Sequence, residues 1–282
     1  MLKLNDVTKH YPKFHLESIS FRLEPGYVMG LIGDNGAGKT TLIKLIMNLI
    51  RRDAGTIQIF GLDNIKNEVF IKDKIGFIYD ENVFYPSMTL SAHAKILSKI
   101  YSEWNHEKYK ELIRRLDLDE SKKVSELSHG MVQRFMTATA LSHNARLLIM
   151  DEPTAGLDPT ARRDFLDLIY EEIQNGETAV LFSSHITTDL DRIADYVTML
   201  KNGKMLFTRP TEELRDELRL IKTAPDRVTT EDRQLLAGYR ETKVSFEALC
   251  DTQNIPRLSF TPQIEDMPTI EDIMYYYDRR ES

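Results

Sequence analysis

A glycine-rich segment between a strand and a helix limits most strongly what this chain can fold into. The segment is GDNGAGKT, residues 33–40, and it fits the pattern G-x-x-x-x-G-K-[ST]. An apolar run at 27–32 precedes it, and helical periodicity follows from 40 to 51. A buried strand, a glycine loop and a helix in this order predict an α/β protein with a mainly parallel sheet.

The same segment predicts a site for a phosphate chain. Glycines let the backbone curl so that successive N–H groups face phosphate oxygens, and the helix N-terminus adds partial positive charge. Lys39 would reach the β- and γ-phosphates, and the Thr40 hydroxyl would bind Mg²⁺. The predicted nucleotide-binding residues of this loop are Asp34, Asn35, Gly36, Ala37, Gly38, Lys39, Thr40 and Thr41.

Two carboxylates follow the apolar run at 147–150, LLIM. Ligands bind open α/β sheets at the carboxyl ends of the strands, so Asp151 is predicted to hold Mg²⁺ and Glu152 to act as general base on water. A polar cap that merely ends a buried strand is the alternative for this pair taken alone.

Other short apolar runs predict strands at 2–7, 16–23, 55–60, 75–79 and 179–182, whereas 90–145 has helical periodicity only. A further helix is predicted at 160–174, with Gly176 as its stop signal. The predicted fold class is therefore α/β. It combines a P-loop NTPase core of mixed, mainly parallel sheet with an antiparallel β edge and a helical lobe at about 90–145.

The character of the chain changes after about residue 208, and two domains are predicted, 1–216 and a small α+β domain at 217–282. A charged helix is expected at 211–219. The tail is expected to form a helix with Thr269 as N-cap and one apolar face. That face would comprise Ile270, Ile273, Met274 and Tyr277.

The composition excludes several classes of protein. A net charge of −7 argues against a nucleic-acid binder. The single cysteine, Cys250, cannot form an internal disulfide, and we expect a small buried side chain in a reducing compartment. The most apolar run, 41–50, is about half of what a membrane span needs, so any link to a membrane is expected to go through a partner.

The order of the motifs resembles that of the nucleotide-binding subunits of ABC transporters over about the first 210 residues. Segment 127–131, LSHGM, resembles the family signature LSGGQ, and 155–159, AGLDP, matches the D-loop. His185 matches the family's switch histidine, and Tyr11 looks like the aromatic that stacks on adenine.

This resemblance implies an ATPase that uses ATP and Mg²⁺ in a head-to-tail homodimer or heterodimer with a related ATPase subunit. Lys39, Glu152 and His185 would be its catalytic residues, while Ser128, Gly130 and the D-loop residue Asp158 would complete the partner's nucleotide site. The expected partner is a polytopic membrane subunit, which would hold the chain on the cytoplasmic face of the cell membrane. The tail resembles exporter-like systems, which favours export.

Simpler roles remain open for the residues that this resemblance singles out. Tyr11 could be a surface aromatic, Ser128 a helix cap, Asp158 a helix start and His185 a structural histidine. Aromatic residues in the segment 79–88 could dock a helix of the membrane partner or pack the helical lobe. A soluble assembly factor of the same type, or a regulatory ATP-binding module, are the alternative functions.

Two departures from the family pattern affect the expected activity. His129 and Met131 stand where the signature has Gly and Gln, although Ser128 and Gly130 remain. After the predicted strand 75–79 the chain has Asp80, where the family usually has Gln. A carboxylate there can bind Mg²⁺ or orient water, but its charge near the γ-phosphate predicts slower hydrolysis.

Overall fold

The computed structural model describes residues 1–265 and 267–279. Ten strands form a single sheet in the order β5-β4-β1-β2-β10-β9-β3-β8-β7-β6. They are β1 Leu2–Tyr11, β2 Phe14–Leu23, β3 Val28–Ile32, β4 Ala54–Ile59, β5 Leu62–Asp63, β6 Ile75–Ile78, β7 Leu147–Asp151, β8 Ala179–Ser183, β9 Tyr196–Lys201 and β10 Lys204–Pro210.

The sheet is mixed, as the sequence predicts. Strands β9, β3, β8, β7 and β6 are parallel neighbours, while β1, β2, β4 and β5 form an antiparallel edge. Every residue of β3, β7 and β8 is buried, because helices cover both faces of a parallel sheet. The register pairs Leu31 and Asp151 with Ser183, so the loops that follow these three strands meet at one edge.

Ten α-helices pack around the two sheets in the described residues. They are α1 Lys39–Ile46, α2 Glu68–Asp73, α3 Leu90–Ile100, α4 His106–Arg115, α5 His129–Leu141, α6 Pro159–Ile173, α7 Thr187–Ile193, α8 Thr211–Glu217, α9 Thr230–Gln234 and α10 Ile270–Asp278. Helices α3 to α5 lie between β6 and β7 in the chain, where the sequence predicts the helical lobe.

The prediction of a helix from 40 to 51 is too long, because α1 ends at Ile46. Asn48 has a left-handed backbone with φ of 52°, and the N–H of Leu49 donates to the carbonyl of Lys44 at 2.8 Å. This arrangement caps the C-terminus of the helix and turns the chain away from its axis.

A second, antiparallel sheet follows α8 in the order β12-β13-β11-β14. Its strands are β11 Leu218–Thr223, β12 Leu236–Glu241, β13 Phe246–Asp251 and β14 Gln263–Ile264. Cys250 is fully buried in β13, as expected, and burial raises the pKa of its thiol to about 11.

The tail helix forms as predicted, with Thr269 as N-cap, but its buried face differs from the predicted one. Ile270 and Ile273 are buried as predicted, and Tyr276 is buried with them. Met274 and Tyr277, which the sequence places on that face, are half-buried, and Tyr277 packs against Phe207. The buried residues follow a spacing of three because α10 is packed between α7 and the second sheet. In residues 1–265 and 267–279, no helix has the length and apolar character needed to span a bilayer.

Candidate functional site

The glycine loop 33–38 between β3 and α1 packs tightly against residues of β9 and β2. A Cβ on Gly33, whose φ is 147°, would lie 2.2 Å from the carbonyl oxygen of Leu200. At Gly38, with φ of 112°, a Cβ would lie 2.9 Å from the ring of Phe14. Larger residues are therefore excluded at both positions, and the N-terminus of α1 has no side-chain cap. Uncapped N–H groups at a helix start favour an anion.

Lys39 lies folded back over this loop and is almost fully buried. Its Nζ donates to the carbonyl of Gly33 at 2.7 Å and lies 3.9 Å from Oε1 of Glu152. The ammonium group is therefore at the centre of the loop, within reach of any phosphate that enters it.

Asp151 ends β7 with one carboxylate oxygen satisfied and the other free. Its Oδ1 accepts a hydrogen bond from the Ser183 hydroxyl at 2.6 Å. Its Oδ2 is buried and has no hydrogen-bond partner among the described residues. A buried carboxylate oxygen without a partner is costly, so this atom marks the place for a cation or an ordered water.

Glu152 follows in a left-handed conformation with φ of 51°, which turns its side chain towards the glycine loop. Its Oε2 accepts from the His185 ring Nδ1 at 2.6 Å and from the His185 backbone N–H at 3.1 Å. A carboxylate only accepts hydrogen bonds, so Nδ1 carries the proton and Nε2 is left for another partner.

These segments surround a cavity of about 260 Å³. Asp80, predicted as a metal ligand, is exposed on its wall, as is Thr40. Ala37, which the sequence also predicts for this site, is buried and does not line the cavity. The lining residues are Phe14, Asp34, Asn35, Gly36, Gly38, Lys39, Thr40, Thr41, Asp80 and Glu152.

The three residues that are expected to complete the partner's nucleotide site lie outside this cavity. Ser128 is the N-cap of α5 and accepts from the N–H of Met131 at 3.3 Å. Asp158 caps α6 in the same way, and the hydrogen bond from the Ala161 N–H holds the pKa of Asp158 below its ordinary value. Gly130 lies in the first turn of α5, where a Cβ would be 3.4 Å from Leu157. The helix-capping roles considered for Ser128 and Asp158 are confirmed.

The structure explains how a histidine fits the signature segment. His129 is exposed, and its ring lies over Gly156, where a Cβ would be 3.2 Å from Nδ1. Gly156 has φ of 73° and carries no side chain, so the imidazole occupies space that another residue would fill. Segments 128–130 and 156–158 are therefore neighbours on one surface.

Of the two roles considered for the aromatic residues of segment 79–88, packing of the helical lobe is seen for Phe84. Phe84 packs on Phe135 of α5 with ring centroids 4.6 Å apart, so it helps to join the lobe to the sheet. Tyr85 is 70% exposed and remains available for a partner.

Two residues of the site escape sequence reasoning. Phe14 lines the cavity, whereas Tyr11, across the β1–β2 hairpin from it, does not. The alternating pattern of β2 gives no sign that Phe14 faces a loop 20 residues away. Ser183, which binds Asp151 and also accepts from the Glu152 N–H at 3.2 Å, is signalled only by its position at the end of β8.

Comparisons with known proteins find relatives in both sequence and structure. The family described as ABC transporter matches residues 16–155, and an AAA domain family matches 123–190. ABC transporter ATP-binding protein YtrB of Bacillus subtilis is 32% identical over 75% of this chain and 72% of its own length. Bacitracin transport ATP-binding protein BcrA of Bacillus licheniformis is 34% identical over 76% and 71%.

A solved ATP-binding subunit of an ABC transporter is similar in both structure and sequence. It superposes with a TM-score of 0.71 at 28% identity, and the match covers 77% of this chain and 92% of that one. The two relatives are more than 30% identical to this chain and are matched over more than two thirds of their own length. The chain therefore belongs to the ATP-binding subunits of ABC transporters, the ATPases that power transport in that family.

Proposed function

We propose that this chain binds ATP with the phosphates in loop 33–40 and hydrolyses it at Glu152, as one half of a head-to-tail dimer. The observation that carries this proposal is the contact of Glu152 with His185, which fixes the carboxylate beside Lys39 at the wall of the loop cavity. Lys39 would exchange its bond to the Gly33 carbonyl for phosphate oxygens.

The residues present fit a bound Mg²⁺. The unpartnered Oδ2 of Asp151 and the exposed hydroxyl of Thr40 are oxygen ligands of the kind that Mg²⁺ takes. Asp80 adds a third oxygen donor on the cavity wall. Bound there, Mg²⁺ would neutralise charge on the β- and γ-phosphates.

For hydrolysis, the Glu152 carboxylate accepts a proton from the attacking water. His185 holds Oε2 through Nδ1, so Oε1 remains to orient that water. Its Nε2 would face the γ-phosphate, and Lys39 would stabilise charge in the transition state. Phosphoryl transfer depends chiefly on such positioning and charge stabilisation.

A second chain is required in this proposal because Ser128, Gly130 and Asp158 lie away from the cavity that they are expected to complete. They are grouped at the N-terminal ends of α5 and α6, where backbone N–H groups favour phosphate. A head-to-tail copy, or a related ATPase subunit, would bring this surface to the γ-phosphate. The adenine contact would come from the hairpin that carries Tyr11 and Phe14.

ATP hydrolysis would drive a separate polytopic membrane subunit, which would hold the chain on the cytoplasmic face of the cell membrane. The exposed ring of Tyr85 supports a docking contact beside the helical lobe. The relative named for bacitracin transport and the exporter-like tail support export of a substrate that the membrane subunit recognises.

Light scattering with saturating ATP and Mg²⁺ tests the dimer. Glu152→Gln keeps the shape of the side chain but removes the base, so it should accumulate as a dimer while the native chain cycles. Glu177→Gln, an exposed carboxylate far along the chain, is the matched control and should behave as the native chain does. A Glu152→Gln chain that stays monomeric contradicts the proposal.

One observation favours a second candidate, a regulatory ATP-binding module that hydrolyses little. Asp80 places a carboxylate on the cavity wall near the expected γ-phosphate, where negative charge disfavours the reaction. A measurable ATPase rate for the native chain with its partners would exclude this candidate.

A further inference from the structure

The last helix, α10, contacts segments at both sides of the nucleotide site. At its start it lies on α7, which begins two residues after His185. At its end it contacts the end of β9, which underlies the glycine loop. None of this follows from the motifs, which end well before α10.

Two hydrogen bonds join the start of α10 to α7. The N–H of Ile270 donates to the Asp191 carboxylate at 3.1 Å, and the hydroxyl of Thr187 donates to Glu271 at 3.5 Å. Arg215 of α8 holds the same Asp191 carboxylate at 2.7 Å. Asp191 therefore joins three helices at one point.

The apolar face of α10 is part of the main core. Ile270, Ile273 and Tyr276 belong to the same buried cluster as Leu190 of α7. The second sheet presses on the other side, since a Cβ on Gly238 of β12 would lie 1.9 Å from the carbonyl oxygen of Tyr276. Helix α10 is thus clamped between the second sheet and α7.

The end of α10 reaches the base of the glycine loop. Lys201 donates to the carbonyl of Asp278 and pairs with its carboxylate at 3.3 Å. The preceding residue, Leu200, has the carbonyl that contacts Gly33. The N–H of Gly203, two residues after Lys201, donates to the carbonyl of Ala37 at 3.1 Å.

Helix α7 is connected to the catalytic carboxylate by a second path. Its Asp189 is buried and accepts from Thr154 at 2.6 Å and from Arg162 at 2.5 Å. Thr154 lies two residues after Glu152. The helix has only seven residues and no side-chain N-cap, so packing determines its position.

We propose that α10 is a positioning element for the switch segment 183–187, which sets the geometry between His185 and Glu152. This inference rests on the proposed role of these two residues in hydrolysis. Helix α10 is then the controlling element, because its displacement would relax the switch segment and slow hydrolysis while ATP remains bound.

The test compares three variants of the full chain. Ile273→Ala shortens a buried side chain between α10 and the main core. Ile221→Ala, at an equally buried isoleucine in the separate apolar cluster of the second sheet, is the matched control. Ile273→Val is the conservative variant and should restore most of the function.

Each variant is measured for kcat and KM of ATP hydrolysis, for affinity to a fluorescent ATP analogue, and for hydrogen exchange in 183–193. Since small misplacements of catalytic groups cost up to about 100-fold in rate, we expect Ile273→Ala to lower kcat by about 5- to 20-fold. Analogue affinity should change by less than about 2-fold because loop 33–40 keeps its own contacts. Exchange in 183–193 should rise.

Equal effects of Ile273→Ala and Ile221→Ala on kcat and on exchange would overturn the inference, as would unchanged exchange in 183–193 for Ile273→Ala. The Glu152→Gln variant separates this failure from failure of the proposed function. If Glu152→Gln abolishes hydrolysis and Ile273→Ala has no effect, only the inference on α10 is wrong. If the native chain hydrolyses no ATP, the exchange measurement still decides the role of α10.

Discussion

The Glu152 carboxylate accepts two hydrogen bonds from His185, one from the ring Nδ1 at 2.6 Å and one from the backbone N–H at 3.1 Å. Both bonds end on the same oxygen. The other oxygen, Oε1, lies 3.9 Å from the Nζ of Lys39. The carboxylate is therefore fixed from one side and free to act on the side of the glycine loop.

Replacement of His185 should separate catalysis from binding. His185→Ala removes the ring that holds Glu152, so we expect kcat to fall by about 100-fold, the scale of a lost catalytic hydrogen bond. The affinity for ATP should change little, because loop 33–40 is untouched. Steady-state kinetics check this, with His106→Ala, an exposed histidine on α4, as the control. A rise in KM with unchanged kcat would assign His185 to binding instead.

Ser183 should prove as important to the site as its charged neighbours. Its hydroxyl donates to Asp151, so Ser183→Ala leaves the buried Oδ1 of Asp151 without its partner, whereas the Glu152 N–H keeps its bond to the Ser183 carbonyl at 3.1 Å. We expect a loss of about 1–3 kcal/mol in the free energy of unfolding and a higher Mg²⁺ concentration for half-maximal ATPase rate.

The matched control for that variant is Ser142→Ala. Ser142 is also fully buried, but its hydroxyl bonds only to the backbone of α5. Its loss should lower the unfolding free energy without a change in Mg²⁺ dependence. The same Mg²⁺ dependence in both variants would remove Ser183 from the site.

Asp80 should limit the rate of hydrolysis. Asp80→Gln removes a negative charge from the cavity wall, so we expect a higher ATPase rate and a changed dependence on Mg²⁺. Glu81→Gln alters the neighbouring exposed carboxylate, which does not line the cavity, and serves as the control. An Asp80→Gln chain with native rate and native Mg²⁺ dependence would show that the carboxylate has no part in the reaction.

The second sheet should lose stability in acid through Asp232. Burial opposes its charge, but hydrogen bonds from Ser259 and Thr229 outweigh burial and keep the pKa of Asp232 far below its ordinary value. A depressed pKa stabilises the fold above the unfolded value of about 3.9, and that stabilisation is lost as the pH falls further.

Urea unfolding of the native chain and Asp232→Asn measures this effect. The difference in unfolding free energy should be complete at pH 7 and pH 6 and should shrink below about pH 4. Glu231→Gln, at the exposed neighbour in α9, should show no such trend. A constant difference across this range would contradict the assignment.

The parts of the site that depend on local sequence could be predicted. The glycine loop, the carboxylates at the end of β7 and the histidine after β8 each lie at the carboxyl end of a buried strand, and parallel strands bring these ends to one edge of the sheet. Phe14 and Ser183 could not be assigned this way, because their roles depend on contacts between segments far apart in the chain.

Two errors in the predicted elements have local causes. The sequence predicts a helix past Ile46 because apolar residues continue to Ile50, but Asn48 adopts a left-handed conformation and the helix ends before it. The β9–β10 hairpin was not predicted at all. Its turn, Asn202-Gly203, has positive φ at both residues and is a strong hairpin signal in the sequence.

The division at residue 216 remains a proposal. The second sheet has an apolar cluster of its own around Phe246, which supports an independent unit. Leu214, Leu218 and Leu249, however, belong to the main core. We infer that the two parts fold as neighbours with a shared apolar boundary.

The burial of Ile270, Ile273 and Tyr276 against the main core has a practical consequence. A chain shortened to the region that its relatives match would lack α10, and the apolar surface of α7 that α10 covers would be exposed to water. Such a fragment should aggregate during expression and be degraded by proteases, even though every nucleotide motif is intact. The smallest fragment of this protein that we expect to remain folded and free of aggregation therefore extends to the end of α10.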